Sequence, residues 1–195
     1  MAACVAACRT LNSNQILSLP EGCALPKLAN LMLGSNGLIV FPQWVGSSKN
    51  LQALDVQENN LTALATAMGS NTKLSSLLAS DNQLEELPAQ ISRLTALTML
   101  KLARNRLREL PAGVSELSAL EYLDVPQNLL QALPAMDRLR MLRQLNASDN
   151  ELGGLPSGIA ALPQLCSLDV SNNDIVALPA LLGKHTNTTI CSFVS

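Results

Sequence analysis

Apolar positions along this chain recur at a nearly fixed interval. Asn14, Asn36, Asn59, Asn82, Asn105, Asn128, Asn150 and Asn173 follow one another at spacings of 22 or 23 residues. Around each of them the same slots are apolar. Five residues before stand Leu31, Leu54, Leu77, Leu100, Leu123, Leu145 and Leu168, and two after stand Ile16, Leu38, Leu61, Leu84, Leu107, Leu130, Leu152 and Ile175. Three before and five after each Asn the slot is apolar in all eight units as well. A proline then follows at Pro20, Pro42, Pro88, Pro111, Pro134, Pro156 and Pro179, and Ala65 takes its place in the third unit.

Each slot predicts an element. Apolar residues two apart, such as Leu100 and Leu102, mark a short strand with both side chains on one face. One strand per unit, stacked in register, gives a parallel sheet with about 4.8 Å between strands. The Asn falls where the chain leaves the strand, and its amide both donates and accepts. A stack of such amides forms a ladder, each rung contributing about 1 kcal/mol net. Leu-Pro closes the bend, because proline fixes φ and cannot extend a strand ladder. In the second half of the unit, apolar residues three apart such as Ile91 and Leu94 suit a helical or 3-10 turn. That layer is wider than the strand layer, so the stack must curve with its strands on the concave side.

The segment 97–111, Leu-Thr-Met-Leu-Lys-Leu-Ala-Arg-Asn-Arg-Leu-Arg-Glu-Leu-Pro, resembles the leucine-rich-repeat signature LxxLxLxxNxL at every defined position. The resemblance runs over about residues 6 to 193 and, in unit length and in its LPxxIxxL half, is similar to the intracellular Ras-group type. It implies an α/β right-handed horseshoe, a single domain over 1–195 with eight repeats and a partial ninth. It also implies a binding role toward another protein, with a small GTPase or a phosphatase complex among the conceivable partners.

Composition narrows the function classes. Hydrophobic residues make up 48% of the chain but aromatics only 2%, so leucine must fill the interior. A net charge of −2 and the lack of any Lys/Arg run argue against nucleic acid. No apolar stretch reaches the length of a membrane span. No signal peptide is read at the N-terminus, and Ala2 in place of Gly excludes N-myristoylation. Five cysteines without paired clustering fit a reducing compartment, so the glycosylation triplets at Asn60, Asn146 and Asn187 carry no weight and the expected location is cytoplasmic. Catalysis finds no candidate: His185 is the only histidine and has no nucleophile or carboxylate pattern beside it. Cys4, Cys8 and Cys23 lack the four-ligand spacing of a zinc site, and no phosphate loop occurs. No metal and no cofactor is expected.

Variable positions between the leucines remain as the candidate site. Four before each Asn the column reads Thr10, Met32, Asp55, Leu78, Lys101, Asp124, Asn146, Asp169; six before, it includes Met99 and Tyr122. Strand alternation turns these side chains outward. The expected protein-binding face therefore comprises Asp55, Leu78, Met99, Lys101, Tyr122, Asp124, Arg143, Asn146 and Asp169. Lys101 should neighbour Asp124, and Asp124 should neighbour Arg143 diagonally; mutual neutralisation of these charges is the competing reading. Along one rim, Arg104, Arg106 and Arg108 are expected to salt-bridge with Glu85, Glu86 and Glu109. Ser48, Asn71 and His185 interrupt the apolar convex column and are expected as loose turns reaching solvent. Thr188, Cys191 and Phe193 fill the slots of a ninth strand, which is either a cap or the start of a longer array. The chain is expected to be monomeric by itself.

Overall fold

The computed structural model describes residues 8–22, 25–178 and 189–190. Cys4, Cys23, Pro179, His185, Thr188, Cys191 and Phe193 lie outside them, as do the expectations attached to those residues.

One parallel sheet runs the length of the molecule in sequence order. Its strands are β1 (Cys8–Thr10), β2 (Asn30–Met32), β3 (Ala53–Asp55), β4 (Ser76–Leu78), β5 (Met99–Lys101), β6 (Tyr122–Asp124), β7 (Gln144–Asn146), β8 (Ser167–Asp169) and β9 (Thr189–Ile190). Each pair is in register, so that Leu31, Leu54, Leu77, Leu100, Leu123, Leu145 and Leu168 form one buried row. The core is a stack of such rows. Leu38, Leu61, Leu84, Leu107, Leu130 and Leu152 make a second, with no exposed surface.

Among the described residues the convex side carries five 3-10 helices, Gln43–Ser47, Thr66–Ser70, Ala89–Arg93, Ala112–Glu116 and Ser157–Ala161. Each is entered through a residue in polyproline geometry: Pro42, Pro88, Pro111 and Pro156 share φ between −60 and −71°, and Ala65 takes φ −66° without the ring. The bend is therefore set by the stack and only reinforced by proline. The sixth unit, one residue shorter, replaces the 3-10 helix by turns within 137–141 while keeping Met136, Leu139 and Leu142 buried.

Ser48 and Asn71 do not reach solvent as expected; both are fully buried. The turn cannot swing outward because Ser48 N–H donates to the Val45 carbonyl and Leu51 N–H to the Ser48 carbonyl, pinning the segment at both ends. Asn71 Nδ2 donates to Val45 O at 3.0 Å and to Ser48 O at 2.9 Å, tying two convex turns together. Ser48 Oγ and Asn71 Oδ1 have no hydrogen-bond partner among the described residues.

Neighbouring 3-10 helices approach too closely for two side chains. The fourth residue of one helix faces the second of the next: Gly46 faces Ala67, Gly69 faces Gln90, and Ser92 faces Gly113. A Cβ built on Gly46 would stand 2.4 Å from the Ala67 carbonyl oxygen, and one on Gly113 would stand 2.8 Å from Ser92 Cβ. One member of each pair is glycine, on whichever side the other is larger.

Candidate functional site

The eight asparagines stack along the edge of the sheet and hold the strand exits in place. In the interior rungs the side chain makes four bonds. Asn105 Oδ1 accepts the Leu84 N–H at 2.9 Å, while Nδ2 donates to Ala79 O and Leu102 O at 3.0 Å and to Ala103 O at 3.3 Å. Asn59, Asn82 and Asn128 repeat this pattern and are buried. Asn36, Asn150 and Asn173 repeat it while partly buried. Asn14, at the exposed end, donates only to Leu11 O and Asn12 O of its own turn. Just before each Asn the backbone turns left-handed: Ser13, Ser35, Glu58, Asp81, Arg104, Gln127, Asp149 and Asn172 all have φ between 52 and 57°. None of them is β-branched, the class for which this conformation is least accessible.

With the strand exits fixed, the outward residues of neighbouring strands line up in two rows. Met99, Tyr122 and Gln144 are register partners in one. Leu78, Lys101, Asp124, Asn146 and Asp169 follow one another in the other. Between them lies a shallow concavity of about 440 Å³, lined among others by Met99, Lys101, Tyr122, Asp124, Asn146 and Asp169. Leu78, Met99, Tyr122, Asp124, Asn146 and Asp169 are half-buried, and Lys101 is exposed.

Two residues expected on this face are placed differently. Asp55 is only 5% exposed. Gly34 has no side chain, so the Asp55 carboxylate packs over it, within 3.2 Å of where a Cβ would be. Burial pushes its carboxyl up, and bonds from Gln57 N–H and Asn12 only partly offset that. Arg143 does not reach Asp124: it precedes β7 on the edge and pairs with Glu121 at 3.5 Å. The rim pairs also differ from expectation. Arg104 bridges to Asp81, one unit back, because both occupy the left-handed column and meet in register. Among the described residues Arg106, Arg108, Glu85, Glu86 and Glu109 form no ion pair, the remaining one being Arg138 with Glu116 at 2.7 Å.

A further pattern has no counterpart in the sequence reading. In the row four before each Asn, an aspartate or asparagine oxygen accepts the N–H two residues on: Asp55 from Gln57, Asn146 from Ser148 and Asp169 from Ser171, each at 3.1 Å. Such side-chain turns consume one lone pair of the carboxylate or amide. Asp124 stands in the same row, but two residues on is Pro126, which has no N–H. Its carboxylate is half-buried without that bond, and desolvation raises its pKa against the lowering influence of Lys101, Asn146 and Arg104. Sequence could have flagged it, since Asp-Val-Pro differs visibly from Asn-Ala-Ser and Asp-Val-Ser.

No group of three metal-ligating side chains occurs among the described residues. No helix among them is long and apolar enough to cross a membrane. Cys8 and Cys166 are free and exposed.

Comparison with known proteins agrees with this architecture. The Leucine rich repeat family model matches residues 95–152. Among solved structures, the functional domain of InlJ from Listeria monocytogenes, described as including a cysteine ladder, is 26% identical with a TM-score of 0.79, covering 91% of this chain and 37% of its own. A plant peptide hormone receptor, RGFR1 in complex with RGF2, is 30% identical with a TM-score of 0.76, covering 84% of this chain and 28% of its own. YopM from Yersinia enterocolitica is 36% identical with a TM-score of 0.72, covering 89% and 35% respectively. The chain thus spans 28 to 37% of the length of these three proteins. No curated protein sequence matches it.

Proposed function

The chain is a leucine-rich-repeat protein, and from that premise we propose that it is a docking module, a cytosolic scaffold or adaptor without catalysis of its own, whose concave face receives a partner protein. One observation carries the reading. On the open face of β4 to β6, Leu78, Met99 and Tyr122 are half-buried at adjacent strands while charged Lys101 and Asp124 flank them. An apolar and aromatic stripe inside a polar surround is what a protein interface requires at its centre, and tyrosine is a frequent anchor there. Free thiols at Cys8 and Cys166 are compatible with a reducing compartment. A monomer presents this face unobstructed.

The test is capture of partners on the immobilised chain, followed by quantitative mass spectrometry. Tyr122→Ala combined with Lys101→Glu should remove the specific partner signal and leave the melting temperature unchanged, because both side chains point away from the leucine core. Arg138→Ala, on the opposite side, should leave capture intact. Full capture by the concave variant would reject this face as the docking site.

A second reading is favoured by the length of the relatives: the same face serves as the recognition region of a longer signalling protein. The mass of the native protein in a cell extract separates the two.

A further inference from the structure

We infer that the concavity beside Tyr122 takes a guanidinium group, an arginine side chain presented by the docked protein, with Asp124 as its carboxylate partner. The inference rests on the docking role proposed above and specifies what the partner must bring.

Four features lead to it. First, Asp124 is the one aspartate of its row whose turn provides no N–H, because Pro126 occupies the donor position used at Ser171 for Asp169. Both carboxylate oxygens are therefore without a backbone donor, in a half-buried place where the Asn146 side chain alone compensates only part of the cost of a charge. Second, the cations nearby act on it only through space and do not pair with it. Arg104 is engaged by Asp81, and Lys101, although the register partner of Asp124, forms no ion pair with it. Third, the floor is negative on balance: Asp124 and Asp169 outnumber Lys101. Fourth, the register neighbours match the shape of the group. Tyr122 lies on the same strand and lines the same concavity, and an aromatic ring beside a carboxylate suits a planar guanidinium, which stacks on the one as it makes a paired contact with the other. A lysine ammonium meets a ring or a carboxylate only as a point charge, without the planar stack or the two-pronged contact, so the site should prefer arginine.

The probe is N-acetyl-arginine amide, titrated into the isotopically labelled full chain and followed by amide NMR shifts. N-acetyl-citrulline amide, equal in shape and uncharged, is the control. Saturable shifts at Tyr122, Asp124 and Asn146 are expected with the arginine probe and not with citrulline. Asp124→Asn should weaken the response by about tenfold or more, the effect of losing a charge-assisted pair. Pro126→Ser keeps the charge but restores the turn donor, and it should weaken binding severalfold. Equal shifts from citrulline, an unchanged response in Asp124→Asn, or no saturable shift up to the solubility limit of the probe would each overturn the assignment. Partner capture that depends on Tyr122 and Lys101 while the arginine probe gives no response would leave the docking face standing and remove the guanidinium site. Loss of both would remove the two together.

Discussion

Asn105→Ala is expected to destabilise the chain by about 3 kcal/mol. The bonds of Asn105 show where the cost falls. Ala79 O keeps Asn82 Nδ2, Leu102 O keeps Asn128 Nδ2, and Ala103 O keeps the Asp81 N–H. Leu84 N–H keeps nothing, since Asn105 Oδ1 is its acceptor and Leu84 has no exposed surface. An orphaned buried donor costs about 1–3 kcal/mol, to which the lost bonds and the small cavity add. In a chain of this size that corresponds to a fall of roughly 6–12 °C in melting temperature. Asn14→Ala is the matched control. Its rung is exposed and accepts no N–H from a preceding unit, so less than about 1 kcal/mol should be lost. Urea unfolding of the two variants checks the contrast, and equal losses would show that the ladder is not what holds the strand exits.

Gly46→Ala should cost about 2 kcal/mol through overpacking of the convex layer, and Ala67→Gly should not rescue it. The new Cβ meets Ala67 Cβ at 2.7 Å but lies closer still to the Ala67 carbonyl oxygen, a backbone atom that no substitution at 67 removes. Gly113→Ala behaves differently. Its Cβ would meet Ser92 Cβ at 2.8 Å and the Ala89 carbonyl at 3.1 Å, so Ser92→Gly should recover most of the loss. A double-mutant cycle therefore separates the two sites: coupling near zero for 46 with 67, and about 1 kcal/mol of recovery for 92 with 113. Recovery at neither would contradict steric pairing between adjacent 3-10 helices, and full recovery for 46 with 67 would show that the Ala67 side chain, and not its carbonyl oxygen, is the obstacle.

The period of the leucines and asparagines already contains the fold. A strand face, an amide at its exit and a proline at the bend recur eight times, and in-register stacking follows from equal unit lengths. What the period does not carry is contact between units across the convex side. Gly46 and Gly69 share the fourth position of their 3-10 helices but Gly113 stands at the second, so no continuous column of glycines marks the pairing; only the facing residues Ala67, Gln90 and Ser92 explain them. Ser48 and Asn71 looked like breaks for a related reason, because polarity alone says nothing of the two carbonyls waiting for the Asn71 amide.

On the concave face, strand alternation placed Met99, Lys101, Tyr122, Asp124, Asn146 and Asp169 around one concavity. Asp55 keeps its place in the outward row but is buried there, because the absent side chain of Gly34 leaves room for its carboxylate. At Arg143 a long side chain reached along the edge to Glu121 and away from the face. The rim charges failed similarly: Arg104 found its partner in the left-handed column, a backbone feature no residue type announces.

Docking on the concave face is tested most directly by cross-linking from defined positions. A photoreactive benzoylphenylalanine in place of Gln144, exposed beside Tyr122, is compared with the same group in place of Arg93, exposed on the convex 3-10 helix. Irradiation of the complex with captured partner should join the two proteins from position 144 and not from position 93. Cross-links from 93 alone would place the partner on the opposite side of the solenoid and contradict the proposed face.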